Sequence, residues 1–140
     1  MLSAYPACFI KEDNGYSVIF PDLGDLATCG DTLEEALVMA VDCLAGYLYW
    51  LQKDGEEVPA ASSLEQIDPA AIAEDLEVSS NEMFVNIVTV DVAEYAKANF
   101  EKSVKKTLTI PAWLNKAALE RNINFSQVLQ DALKAQIHLG

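Results

Sequence analysis

Five acidic side chains lie within 14 residues of the chain, and clustered carboxylates can hold two Mg²⁺ ions for phosphodiester hydrolysis. They are Asp22, Asp25, Asp31, Glu34 and Glu35. Each also has a simpler structural role. Asp22 and Asp25 are typical turn residues, Asp31 and Glu35 suit the start of a helix, and Glu34 favours the positive end of the helix dipole. The sequence therefore predicts no catalytic residue here and keeps a metal-dependent nuclease as a minor alternative.

Histidine and cysteine offer no better site. His138 is the only histidine and stands near the C-terminal end of the sequence. Cys8, Cys29 and Cys43 are odd in number and show no CxxC spacing, so free thiols are expected rather than zinc ligands or disulfides. We predict no metal, no cofactor and no enzymatic activity.

A second group of residues suits DNA. Lys105, Thr107 and Thr109 alternate with Leu108 and Ile110, the period-two pattern of a strand with one apolar face. Lysine can donate hydrogen bonds to guanine edges, and threonine can hydrogen-bond or touch the thymine methyl group. The polar face of this strand is a candidate base-reading surface.

The elements around that strand are short. Pro111 ends the predicted strand Val104–Ile110, a helix covers Ala112–Arg121, and Asn124 with Gln127 forms a capping-box-like pair before a second helix. The second helix carries apolar residues at helical spacing, namely Val128, Leu129, Ala132, Leu133 and Ile137. So small a unit cannot bury a core alone, and a lone strand invites pairing with a copy of itself, so we expect an obligate dimer.

This strand–helix–helix order resembles the ribbon-helix-helix DNA-binding domains, in which a two-stranded ribbon enters the major groove. The free amides at the start of the second helix, at Asn124, Phe125 and Ser126, are candidates to hold a phosphate. The alternative is a dimerisation helix pair with an accidental leading strand.

The first 100 residues predict an α+β body. The predicted strands are Leu2–Ile10, Tyr16–Phe20, Leu26–Cys29 and Phe84–Val92. Asn14-Gly15 is a strong hairpin signal because both residues tolerate positive φ. A long helix follows the third strand, starts at a capping box of Thr32 and Glu35, and stops near Gly55. The order β-β-β-α-β predicts an antiparallel sheet with the long helix on one face.

The two predicted domains, residues 1–100 and 101–140, differ in net charge. The first carries 3 lysines and 19 Asp or Glu, a net charge of −16, and the second carries a net charge of +3. An acidic body repels nucleic acid whereas a basic end attracts it, so two partners of opposite charge are expected. No apolar run reaches the length of a membrane span, and we expect a cytoplasmic protein.

Two joined motifs identify a family resemblance. Phe20-Pro21-Asp22-Leu23, followed by Thr28 to Leu37 (TCGDTLEEAL), resembles the HicB antitoxins of toxin–antitoxin systems, many of which end in a ribbon-helix-helix domain. The resemblance implies a partial RNase-H-like body, an mRNA-cleaving HicA-type toxin as partner, and repression of the shared operon through operator DNA. The small strand–helix–helix segment predicts a homodimer, and a tetramer of such chains stays open.

The toxin-binding residues are predicted in a loop and beside the core-facing stripe of the long helix. That stripe consists of Leu33, Leu37, Ala40 or Val41, Leu44, Leu48 and Leu51. Leu23, Leu26 and Tyr49 are the candidate apolar anchors, with Asp22 and Asp25 as a charged rim. Two alternatives stay open: a ribbon-helix-helix repressor whose body senses a small ligand, and a metal-dependent nuclease of RNase-H-like fold.

Overall fold

The computed structural model describes residues 1–78 and 82–138. The chain divides into two units, Met1–Ser103 and Val104–Gly140. The C-terminal domain expected from the sequence extended to Gly140, and its last two residues lie outside the described part. The two units are taken separately below.

The first unit is built on a four-stranded sheet. Its strands are β1 (Leu2–Glu12), β2 (Gly15–Phe20), β3 (Leu26–Gly30) and β4 (Met83–Asp91), in the order β3-β2-β1-β4. All neighbouring strands are antiparallel, with Phe9 opposite both Val18 and Phe84. The sequence therefore predicted all four strands of this sheet, each to within two residues at either end.

The β1–β2 hairpin forms, but its turn differs from the expected one. Glu12 pairs with Gly15, so the two turn residues are Asp13 and Asn14. Gly15 is the first residue of β2 and has φ +147, whereas Asn14 has no positive φ. A Cβ on Gly15 would stand 2.3 Å from the carbonyl oxygen of Gly30, so glycine is required by this close approach as well as by φ.

Helix α1 (Leu33–Lys53) covers one face of the sheet. The Thr32 hydroxyl accepts a hydrogen bond from the Glu35 amide at 3.1 Å, as the capping box predicts. The Glu35 carboxylate accepts a hydrogen bond from the backbone amide of Asp31 at 3.3 Å, so the Glu35 side chain reaches back past the cap residue Thr32. The buried stripe of α1 is Ala36, Ala40, Leu44, Ala45 and Leu48.

Two apolar clusters lie on the two faces of the sheet. Under α1, the buried side chains include Phe9, Val18, Phe20 and Val88. On the opposite face, Cys8, Ile10 and Ile19 pack with Ala73 of the short helix α2 (Pro69–Asp75). Side chains thus alternate between two covered faces along β1, which explains why its central residues from Tyr5 to Ile10 are all buried.

Helix α3 (Val92–Asn99) follows β4 directly and packs against α1. Asp91 caps it by accepting a hydrogen bond from the Glu94 amide at 3.1 Å. Phe100 then packs against the rings of Tyr49 and Tyr95, with centroids 5.3 and 5.5 Å away. These contacts tie the chain to the first unit as far as Glu101, one residue beyond the boundary expected from the sequence.

The second unit contains two helices, α4 (Ala112–Glu120) and α5 (Phe125–Ile137). The Asn124 side chain accepts from the Gln127 amide at 3.0 Å, which confirms the predicted cap. In the single chain the segment Val104–Ile110 pairs with no described strand, so the strand expected there in a dimer stays a prediction. A β-ladder requires a partner, and one copy of the segment cannot supply it.

The class is α+β, with a four-stranded antiparallel sheet and five α-helices in the described residues. None of the helices within residues 1–78 and 82–138 is both long and apolar enough to cross a bilayer.

Candidate protein-binding and nucleic-acid-binding surfaces

The loop between β2 and β3 holds part of the site predicted for the toxin, but two of its residues have structural roles. Pro21–Leu23 forms a turn of 3₁₀-helix that points Leu23 into the core, where it is 2% exposed. Leu23 is therefore not an exposed anchor, and the prediction for this residue is wrong. The Asp22 carboxylate accepts hydrogen bonds from the Ser62 amide at 2.8 Å and the Ser62 hydroxyl at 2.6 Å. Asp22 thus fastens the loop that follows α1.

The three other residues of that prediction differ in their exposure and contacts. Asp25 is exposed and holds φ +58, while Leu26 is partly buried against the core. Tyr49 is partly covered by Phe100, and its hydroxyl donates to the Glu101 carboxylate at 3.3 Å. The structure does not bring these residues together as one exposed apolar surface, and a toxin-binding role for Asp25, Leu26 and Tyr49 stays a prediction.

The carboxylates considered for metal binding are already engaged or apart. Asp22 binds Ser62, and Glu35 accepts the Asp31 amide at the start of α1. Among the described residues, no group of three or more His, Cys, Asp or Glu side chains could hold a metal ion. The geometry gives these acids positions in caps and turns, as their simpler interpretation predicted.

One stretch of the first unit carries acidic residues and no basic residue. Residues 12–52 contain eight Asp or Glu and not one Lys, Arg or His. The stretch includes the β1–β2 turn and nearly all of α1. Glu12, Asp13 and Asp31 line a shared hollow where the turn meets the end of β3. This end of the first unit thus presents negative charge with no basic residue of the same stretch to neutralise it.

Exposed apolar side chains lie beside these acids on α1. Leu33, Leu37 and Val38 are 37%, 40% and 61% exposed. Sequence reasoning assigned Leu33 and Leu37 to the core because they fit the helical stripe. They remain partly exposed because they lie beside the buried stripe of α1, which already begins at Ala36 in the first turn.

The second unit buries almost nothing in a single chain. Of its described residues, Ala118 alone counts as buried, at 8% exposed. Its exposed large apolar residues are Val104, Leu108, Ile110, Trp113, Leu114, Leu119, Ile123, Phe125, Val128, Leu133 and Ile137. A unit of this composition lacks a core of its own, so these faces need a covering partner.

The residues predicted to contact DNA are accessible. Lys105, Thr107 and Thr109 are exposed in the extended segment before α4. At the start of α5, the Asn124 side chain already accepts a hydrogen bond from the backbone amide of Gln127. The Ser126 hydroxyl accepts one from the side-chain amide nitrogen of Gln130 at 3.0 Å. Because the Gln127 amide is occupied, an anion could approach only the amides that precede it, beside Phe125, which is 42% exposed.

A family comparison covers both units. The family model described as "HicB_like antitoxin of bacterial toxin-antitoxin system" matches residues 5–133.

The chain belongs to the HicB-like antitoxin family.

The curated relatives of this HicB-like chain include a named HicB antitoxin. An uncharacterised 14.9 kDa protein from the rep–hol intergenic region of Haemophilus phage HP1 (strain HP1c1) is 30% identical over 110 residues, covering 79% of this chain and 74% of the relative. Antitoxin HicB 2 of Photorhabdus laumondii is 41% identical over 59 residues, which is 42% of each chain.

A solved structure extends the likeness to both units of this HicB-like chain. A toxin–antitoxin complex from Streptococcus pneumoniae contains a chain that is 34% identical, with a TM-score of 0.67. The match covers 97% of this chain and 99% of that one.

Proposed function

We propose that this HicB-like protein is an antitoxin that binds and neutralises a HicA-type, mRNA-cleaving toxin through its first unit. The observation that carries the proposal is the family match over residues 5–133, which spans both units. A chain of similar fold and 34% identity was solved within a toxin–antitoxin complex, which supports a protein partner.

Charge supports the same partner. A ribonuclease must hold a polyanion and therefore needs a basic surface, whereas residues 1–103 of this chain carry 20 acids against four lysines. Complementary charge accelerates encounter and disfavours wrong partners, while buried apolar contacts supply most of the affinity. The first unit offers both kinds of group.

The second unit is proposed to bind operator DNA as a ribbon-helix-helix homodimer, or as a tetramer of such chains, and so to repress its own operon. Its net charge is +3 over residues 104–140, against −16 for residues 1–103. Pairing of two Val104–Ile110 segments would supply the missing ladder and cover Leu108 and Ile110, while Lys105, Thr107 and Thr109 would face the groove.

The first unit is proposed to be a partial RNase-H-like body without nuclease activity. The Asp22 and Glu35 carboxylates accept hydrogen bonds that serve the local fold. A ligand-sensing repressor is the second candidate, and the hollow lined by Glu12, Asp13 and Asp31 is the place that favours it. Three carboxylates there would select a cationic ligand.

Co-purification tests the proposal. The full chain is expressed with the toxin encoded beside it, and this co-expression should restore growth. A tag on the toxin should retain both proteins on the column. As a control, a tagged and unrelated basic ribonuclease should not retain this chain, and co-expression should not relieve its growth arrest. DNA from upstream of the operon should be shifted by the full chain and not by residues 1–103. Growth arrest that persists despite abundant folded antitoxin would contradict the proposal.

A further inference from the structure

One side of α1 is covered along its second half and open along its first half. Val38, Asp42, Ala45 and Tyr49 recur at spacings of four, three and four, so they form one stripe along the helix. The Tyr95 hydroxyl of α3 donates to Asp42, Phe100 packs on Tyr49, and Ala45 is fully buried. At the other end of the same stripe, Val38 is 61% exposed.

The open end carries an apolar patch, which consists of Leu33, Leu37 and Val38. They occupy the first two turns of α1, and Leu33 and Leu37 lie four residues apart on one side of it. Glu34 lies one turn before Val38 on the same stripe. An apolar centre with a charged edge is the arrangement found at protein interfaces.

The acids around the patch indicate the charge of its partner. Gly15, the first residue after the β1–β2 turn, approaches the backbone of Gly30 and Asp31, shortly before α1, so the acids of this turn lie at the same end of the body. Asp13 and Asp31 line one hollow there. The neighbouring basic residue in the sequence, Lys11, forms an ion pair with Glu82 at 3.3 Å. The acids of this edge therefore outnumber its basic groups, and the edge suits a basic protein surface.

We propose that the Leu33–Leu37–Val38 patch, edged by Asp13, Asp31 and Glu34, is the surface on which the basic toxin docks. The inference rests on the proposed antitoxin function and assigns it a location. It replaces the loop around Leu23, which is buried, with the first two turns of α1. A second copy of the chain fits this surface poorly, because two such acidic edges would repel each other.

Substitution of Val38 tests the assignment in the full chain. Val38→Lys removes the most exposed apolar group of the patch and adds a charge that repels a basic partner, while lysine is a good helix former. Leu76→Lys is the matched control, since Leu76 is 47% exposed beyond the end of α2 and is likewise flanked by acids, Asp75 and Glu77. Circular dichroism and thermal melting establish that both variants fold.

Titration against the purified toxin gives the result. Val38→Lys should weaken toxin binding about tenfold or more, whereas Leu76→Lys should change it less than about twofold. Wild-type affinity in a folded Val38→Lys variant would overturn the assignment and leave the antitoxin function standing. Lost self-association with unchanged toxin binding would also overturn it, in favour of a second copy. A wild-type chain that fails to bind the toxin would instead remove the proposed function itself.

Discussion

The Tyr95 hydroxyl donates a hydrogen bond to the Asp42 carboxylate at 2.8 Å and so joins α3 to α1 across 53 residues of sequence. Burial raises the pKa of Tyr95 to about 12, and the hydrogen bond to Asp42 and the charge of that carboxylate act in the same direction. Phe100 packs against the same tyrosine ring. This contact holds the end of the first unit on its long helix.

Tyr95→Phe should lower the free energy of unfolding by about 1 kcal/mol at neutral pH, because it removes one hydrogen bond and keeps the ring. The folded-state pKa lies above the unfolded value of about 10, so the protonated phenol stabilises the fold fully below pH 10. That contribution is lost as pH rises through about 12. Urea denaturation from pH 7 to 11 should therefore show the wild type losing its advantage over Tyr95→Phe above pH 10. An advantage that grows with pH would contradict this account.

Asp22 is expected to act on stability rather than on toxin binding. Asp22→Ala removes both hydrogen bonds to Ser62 and should cost about 1–3 kcal/mol, because the acceptor is charged. Asp25→Asn is the control, since asparagine tolerates the positive φ of this position. Chemical denaturation measures the difference. An unchanged unfolding free energy for Asp22→Ala would show that the contact contributes nothing measurable.

Self-association should depend on the apolar face of the second unit. Leu133→Glu places a charge on an apolar residue of α5 that is 52% exposed in the single chain, and should shift dimer toward monomer. Gln127→Glu adds the same charge on the polar side of that helix and should leave the dimer intact. Sedimentation equilibrium at micromolar concentration distinguishes the two. A monomeric wild type would refute the dimer.

Operator binding should depend on the polar residues of the segment before α4. Lys105→Ala and Thr107→Ala should each weaken operator binding by roughly 1–3 kcal/mol if these side chains read bases. Binding should also weaken steeply with added salt, since phosphate contacts release counterions. Lys134→Ala, near the end of α5, is the control. A triple alanine variant of Lys105, Thr107 and Thr109 with wild-type affinity would exclude this face.

Local patterns in the sequence predicted the elements but not the contacts between distant segments. The alternation along β1 and the Thr32–Glu35 pair marked a strand and a helix start, because strand period and capping are set within a few residues. The burial of Leu23 could not be predicted from local periodicity, since a short 3₁₀ turn points its side chain into the core. Asp22 meets Ser62 across 40 residues, a contact that no local period encodes.

The second unit shows a different limit. Leu108 and Ile110 carry the alternation of a strand, yet the single chain gives them no ladder, because the expected partner is another copy. The exposed patch at the start of α1 was missed for a related reason. Leu33 and Leu37 form an apolar stripe by spacing, and periodicity does not say which of two neighbouring stripes of a helix the sheet covers.

Neutralisation of the toxin by the first unit alone is the most direct test of the central claim. Residues 1–103 hold both apolar clusters and the acidic stretch, so they should fold without the second unit. Co-expressed with the toxin encoded beside this gene, they should restore growth and co-purify with it, while failing to bind operator DNA. A folded 1–103 fragment that neither restores growth nor binds the toxin, beside a full-length chain that does both, would contradict the claim that the acidic body neutralises the toxin.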